Sequence, residues 1–195
     1  MLVNKKNRNV LIVIFGILLV AAIGVLVFLI LNNDRDIDNT IDETENWQEL
    51  VPEGTKKIDL SNTEGNVEIN EGGNYLLTGE TRNAVNVASK EETTLYLQNA
   101  RIGGQTSAIT SKAEKLTISP LENTENAFAN TDEDGSSSPL ISVDGDFEIT
   151  AGGVIILKNS NPENECIKAK RFLMNPGMQV SYINCEFDNV EVIKP

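Results

Sequence analysis

From residue 57 onward, β-branched and aromatic residues come in short alternating clusters, broken every few positions by Gly, Asn, Asp or Ser. Alternation with period two is the mark of strands with one buried face, and no stretch here carries a helical period. The pattern predicts strands at 58–60, 66–69, 75–78, 85–88, 94–98, 108–110, 115–119, 140–143, 147–150, 153–158, 166–169, 172–174, 178–183 and 190–193. Most are shorter than the five or six residues typical of sandwich strands.

Their spacing repeats. Val85, Ile109, Ile141, Ile167 and Val190 follow one another at intervals of 24, 32, 26 and 23. Leu95, Leu116, Phe147 and Phe172 do so at 21, 31 and 25, with the long interval in the same place. Each repeat reads as a short strand, a bend, a second strand and a looser third side. Such a unit cannot bury its apolar face alone, but stacked at ~4.8 Å per turn it piles like residues inside a coil. The expected fold is therefore all-β, a small right-handed parallel β-helix of about four to five rungs. The long interval is explained by a loop at 121–138 inserted into one rung. The ends of a short coil need covers, and residues 57–79 and the tail after Cys185 are the candidates. The pairs Gly72-Gly73, Gly103-Gly104 and Gly152-Gly153 read as tight corners needing positive φ.

Residues 10–31 are an uninterrupted apolar run without charge. About 20 such residues cross a ~30 Å hydrocarbon core. Lys5, Lys6 and Arg8 precede the run and Asp34, Asp36 and Asp38 follow it, which orients residues 1–9 to the cytoplasm and exports the rest. A cleaved signal peptide would have a shorter run and a small-residue cleavage site, and a lipoprotein a Cys directly after the run; an uncleaved single-pass anchor fits better. Residues 32–56 are acidic and poor in apolar side chains, so they read as a linker, with a helical turn at 46–51 before Pro52. Residues 57–195 are then the domain.

The chain carries −13 overall and +3 over residues 1–31, leaving −16 on the exported part. That charge opposes binding to nucleic acid or anionic lipid and would favour cations, although taken by itself it reads first as keeping an exported domain soluble. The absence of His removes Ser-His and Cys-His catalysis, and with only Cys166 and Cys185 as thiols a zinc site is excluded. The two cysteines form either one disulfide or two buried thiols.

Carboxylates remain. Asp132 and Asp134 sit in the inserted loop and Asp144 and Asp146 flank Gly145 at a bend. Oxygen donors on Gly-containing turns suit calcium, although the spacing is not that of an EF-hand. A solvated acidic turn is the alternative. The same carboxylates could serve glycan cleavage, but no acidic pair recurs on adjacent rungs, so binding ranks ahead of catalysis. Trp47, Tyr96 and Tyr182 are the candidate aromatic faces for sugar stacking; for Trp47, covering an open end of the domain is the preferred role.

Several weak motifs in a fixed order carry a family resemblance. They are Gly73, Tyr75, Leu77 and Gly79 (G-x-Y-x-L-x-G), Leu95, Leu97 and Ile102 (L-x-L-x-x-x-x-I), and Ser107 to Ile109. There follow Lys115 to Ile118, Glu122 to Asn126, Leu140 to Ile149 and Glu165 to Lys170. Over about residues 65–175 the chain resembles the calcium-associated, carbohydrate-binding parallel β-helix domains of exported bacterial proteins. The resemblance implies binding of plant-cell-wall-type or acidic polysaccharide, with calcium lodged in the coil and no cleavage. A membrane-anchored, extracellular polysaccharide-binding module is the resulting expectation. A structural protein assembling through its coil ends is the alternative, and a polysaccharide lyase ranks third.

Overall fold

The computed structural model describes residues 47–131 and 138–185, and the backbone of 190–192. Among them are fifteen strands, every pairing is parallel, and no α-helix occurs. Strand β1 (Lys56–Asp59) comes first. Two turns of two strands follow: β2 (Val67–Ile69) with β3 (Gly73–Thr81), then β4 (Val85–Val87) with β5 (Thr93–Gly104). Three turns of three strands come next: β6 (Ile109–Ser111), β7 (Lys115–Pro120) and β8 (Glu125–Asn130); β9 (Ile141–Val143), β10 (Asp146–Ile149) and β11 (Val154–Lys158); β12 (Ile167–Lys168), β13 (Arg171–Met174) and β14 (Gln179–Ile183). Strand β15 (Val190–Val192) is last.

The pairings turn this list into a coil. Strands β2, β4, β6, β9 and β12 stack in chain order as a five-stranded sheet. The others form a ten-stranded sheet that folds around a corner. The first half of β5 lies between β3 and β7, and its second half pairs with β8. Each turn therefore has three sides, and the long strands β3 and β5 run around one corner where later turns break into two strands.

Buried residues alternate with outward ones on most of the strands, β3 with its buried Leu76 being an exception, so like positions form columns. Val67, Val85, Ile109, Ile141 and Ile167 are in register on the first side. On the third side Ile102, Phe128 and Leu157 are in register and fully or almost fully buried. Burying each such side chain contributes about 1.5–3 kcal/mol before chain entropy is counted.

Two predicted series needed correction. Leu116, Phe147 and Phe172 are in register, but the residue above Leu116 is Thr93, while Leu95 pairs with Ile118. A slip of two residues preserves the inward face, so the apolar pattern alone could not detect it. Val190 pairs with Phe172 and so belongs to this second side, not to the column of Ile167.

The expected inserted loop at 121–138 also changes. Its segment Glu125–Asn130 is β8, a full member of the third side between β5 and β11. Its inward positions are Asn126, Phe128 and Asn130, so two of three are polar and the period-two apolar signal is lost. The amides earn their burial at the corner. Asn126 accepts from the Ala100 backbone N–H at 2.9 Å and donates to Thr124 Oγ1 at 2.9 Å, and Asn130 donates to Asn159 Oδ1 at 3.0 Å. A buried backbone group without such a partner would cost about 1–3 kcal/mol.

Of the paired glycines, Gly73 and Gly152 take the expected positive φ, +119° and +156°, whereas the Gly103-Gly104 pair does not. A Cβ on Gly104 would sit 2.0 Å from the Ser107 carbonyl oxygen, and one on Gly145 would sit 2.1 Å from that of Glu114, in the turn beneath. Both residues lack the left-handed φ expected of a tight corner.

The N-terminal end is covered. A 3-10 turn at Leu60–Asn62 packs on β3, its N-terminus capped by Asp59 Oδ1, which accepts from the Ser61 N–H at 3.0 Å, and Leu60 is almost fully buried. The Trp47–Glu49 turn and the buried Val51 belong to the same compact unit as the strands. The apolar run 10–31 and most of the linker lie outside the described residues; among the described ones no helix is long and apolar enough to cross a membrane.

Candidate functional site

On the five-stranded sheet, the residue after each buried column member points outward. The outward column is Glu68, Asn86, Thr110, Ser142 and Lys168, one residue per turn. Asn86 Nδ2 donates to Glu68 Oε1 at 2.6 Å, and Thr110 Oγ1 donates to Asn86 Oδ1 at 2.8 Å. The ladder therefore has a direction: each group donates toward the N-terminal end. Two residues further along each strand, Ala88, Lys112 and Asp144 form the opposite wall of a groove of about 340 Å³. Among the described residues, the side chains of Lys112, Ser142 and Asp144 take part in no hydrogen bond or ion pair. Their polar groups are thus open to a ligand, while Glu68, Asn86 and Thr110 are held in place by one another.

Asp144 is the sequence candidate that lines this groove. Asp146, two residues on, begins β10 on the next side of the coil and is bound there by Arg171, whose Nε donates to Oδ1 at 3.1 Å and whose Nη2 pairs with Oδ2. The Arg171 hydrogen bonds hold the Asp146 carboxyl below its ordinary value, against the effect of desolvation. Its oxygens are engaged by a cation already. Asp132 and Asp134 lie outside the described residues. Among the described residues no group of three or more His, Cys, Asp or Glu side chains is gathered to hold a metal ion.

The three aromatic candidates are not gathered either. Tyr96 is half-buried on the outer side of β5, between Leu76 and Ser119. Trp47 stands beside the same strip, its ring 5.8 Å from Lys57 Nζ, and Lys57 is in register with Leu76. Leu76 points outward yet is completely buried, so this strip is a covered flank of the first turns. Tyr182 lies at the other end of the coil, on β14. The groove carries no aromatic residue, and its ladder escaped the sequence reading because outward polar residues leave no apolar signal. A signal existed: Asn86, Thr110 and Ser142 each directly follow a member of the Val85, Ile109, Ile141 series.

A second ion pair lies on the flank next to Asp146. Lys115 Nζ is 2.6 Å from Glu148 Oε2, and Asn175 Nδ2 donates to Glu148 Oε1 at 2.9 Å. The Lys115 hydrogen bond, helped by Asn175, outweighs burial and lowers the Glu148 pKa from its ordinary 4.5. A depressed folded pKa stabilises the protein above the unfolded value, and the contribution disappears as pH falls through the folded one. Glu148→Gln is accordingly expected to lower the urea midpoint at pH 7 and to cost progressively less as the pH falls through the folded pKa; a loss that does not shrink with falling pH would contradict this.

No family model matches the chain, and no curated protein or solved structure matches it.

Proposed function

We propose that the chain is a membrane-anchored, extracellular polysaccharide-binding module whose ligand lies along the groove of the five-stranded sheet. The supporting observation is the ladder Glu68, Asn86 and Thr110, continued by the open Ser142 beside Lys112 and Asp144. A hydroxyl, amide or carboxylate group recurs once per turn, at ~4.8 Å, and offers a linear polyol one hydrogen-bonding partner per rung. Both donors and acceptors are present, and their rigid placement reduces the entropy lost on binding.

The carrier in this reading is a right-handed parallel β-helix, residues 57–195, following the spanning segment 10–31 and the linker 32–56. The strong preference of parallel crossovers within one sheet for the right hand supports the handedness. The N-terminus is cytoplasmic and the domain extracellular, in line with the charge on either side of the apolar run. Acidic polysaccharide is the preferred ligand class, approached through Lys112 and Lys168, with calcium offsetting the charge of the domain.

The test is retention of the full-length chain in detergent on insoluble pectin and on peptidoglycan, with and without a chelator. Asn86→Ala combined with Thr110→Ala is expected to weaken retention roughly 10-fold, the equivalent of one to two hydrogen bonds. No retention of the native chain on any glycan, or equal retention of the double variant, would remove the proposal. A chelator effect would separate the calcium component from the sugar component.

A further inference from the structure

The hydrogen-bond ladder on the five-stranded sheet stops partway. Glu68, Asn86 and Thr110 are joined from one turn to the next. Ser142 is in register with Thr110, yet its side chain bonds to none of the described residues. Thr110 gives its proton to Asn86 Oδ1, which leaves its own oxygen as an acceptor for the next turn.

The neighbouring outward column is interrupted at the same level. The Asp144 N–H donates to the Ser111 carbonyl at 2.9 Å, which carries the strand register on to Lys112 and Asp144. These opposite charges stand one turn apart and form no ion pair with each other or with another described residue. On the adjacent side of the coil, by contrast, Asp146 is engaged by Arg171 and Glu148 by Lys115. Thr110, Lys112, Ser142 and Asp144 thus mark the corners of a rectangle, about 4.8 Å across the turns and about 6.6 Å along the strands. All four line the groove.

The chemistry of the corners selects the occupant. A metal ion at Asp144 meets the Lys112 ammonium, and an anion at Lys112 meets the Asp144 carboxylate. A hydroxyl suits both, since it donates one hydrogen bond and accepts others. Two neighbouring hydroxyls on one ring match the two oxygens of a single carboxylate, and bonds to a charged group are about twice as strong as neutral ones.

We propose that these four residues are the subsite that reads one sugar unit of the polymer, and that the feature read is a vicinal diol. Asp144 accepts from both hydroxyls, and Lys112 donates to one of their oxygens. Ser142 and Thr110 bond a further hydroxyl of the same ring. Lys168, in register with Ser142 on the following turn, is left for the acidic substituent. The inference rests on the polysaccharide reading of the groove and narrows it to a chemical group and a place.

The probe is polygalacturonate, an acidic polymer with one vicinal diol per unit. It is compared with the same polymer after periodate cleavage and borohydride reduction, which remove the diols and keep the carboxylates. Calorimetry on the full-length chain in detergent gives dissociation constants for the native protein, Asp144→Asn and Asn86→Ala. The native chain is expected to bind the intact polymer roughly 10-fold more tightly than the cleaved one. Asp144→Asn is expected to weaken binding of the intact polymer roughly 10-fold, to change binding of the cleaved one little, and to leave the Tm unchanged. Ring opening also loosens the polymer, but that effect is common to native and variant and cancels between them. The sign is diagnostic. A carboxylate acting only through its charge repels an acidic polymer, so its removal would tighten binding. Tighter or unchanged binding by Asp144→Asn overturns the proposal, as does a preference for the intact polymer that survives in this variant. If Asn86→Ala weakens binding and Asp144→Asn does not, the groove reading stands and the subsite falls. A native chain that binds neither polymer overturns the subsite, and if peptidoglycan also fails to retain it, the groove reading as well.

Discussion

Phe128→Ala is expected to destabilise the domain by about 3–5 kcal/mol, the usual cost of removing a fully buried phenylalanine. The ring is 0% exposed and stands between Ile102 and Leu157 in its column. Its neighbours in sequence are Ala127 and Ala129, both on the outward side of β8. No nearby inward side chain on this strand can swing into the space, because the next inward positions are Asn126 and Asn130, fixed by hydrogen bonds at the corners. The cavity therefore stays open, which puts the expected cost toward the upper part of the range. For a domain of this size the fall in Tm is on the order of 10 °C. Phe128→Leu should recover most of it. Thermal and urea unfolding of the two variants check this; a loss below about 1 kcal/mol in Phe128→Ala would mean that residues 125–130 do not form part of the core.

Replacing both cysteines by alanine is expected to cost about 3 kcal/mol. The estimate follows from the 19-residue separation that the Cys166–Cys185 bridge closes. The Cα atoms stand 5.0 Å apart, inside the range a disulfide spans. The bridge joins the start of the last three-stranded turn to the second residue after its final strand, so it ties that turn into a ring. Removing it frees β14, which among the described residues is paired on one edge only. Reductant should lower the native urea midpoint to that of the double variant and leave the variant untouched. A native midpoint insensitive to reductant, with two titratable thiols, would contradict the bridge.

How far the residues announced this fold depends on which side of the coil is considered. Val85, Ile109, Ile141 and Ile167 are β-branched, fall at similar intervals and take matching register positions, so the first side was legible. Leu116, Phe147 and Phe172, large and apolar although not β-branched, were legible through the same recurrence and register. The third side was not. On β8 two inward positions are asparagines that serve the backbone, and on the second half of β5 they are Ala100, Ile102 and Gly104. Small and amide-bearing inward residues satisfy the coil without an apolar period. The disulfide was an open alternative because a separation in sequence fixes distance only once the turn length is known.

The site divides in the same way. Asp144 was legible as a carboxylate beside a glycine bend, but its partners in the groove come from three other turns. Glu68, Asn86 and Thr110 are ordinary surface residues until register aligns them. Asp146, chemically the twin of Asp144, is diverted by Arg171 from the next strand over, and only the pairing of β10 with β13 reveals it.

Each winding rests on the one before and supports the one after, so nothing in the architecture fixes how many there are. The outward row of polar groups consequently behaves as a ruler graduated in windings: duplicating one period would lengthen it by one mark, excising one would shorten it by one, and in both cases the remaining marks keep their alignment. On the proposed polysaccharide-binding reading, ligand length preference would be revised by copying a stretch of gene, without redesigning any single binding group.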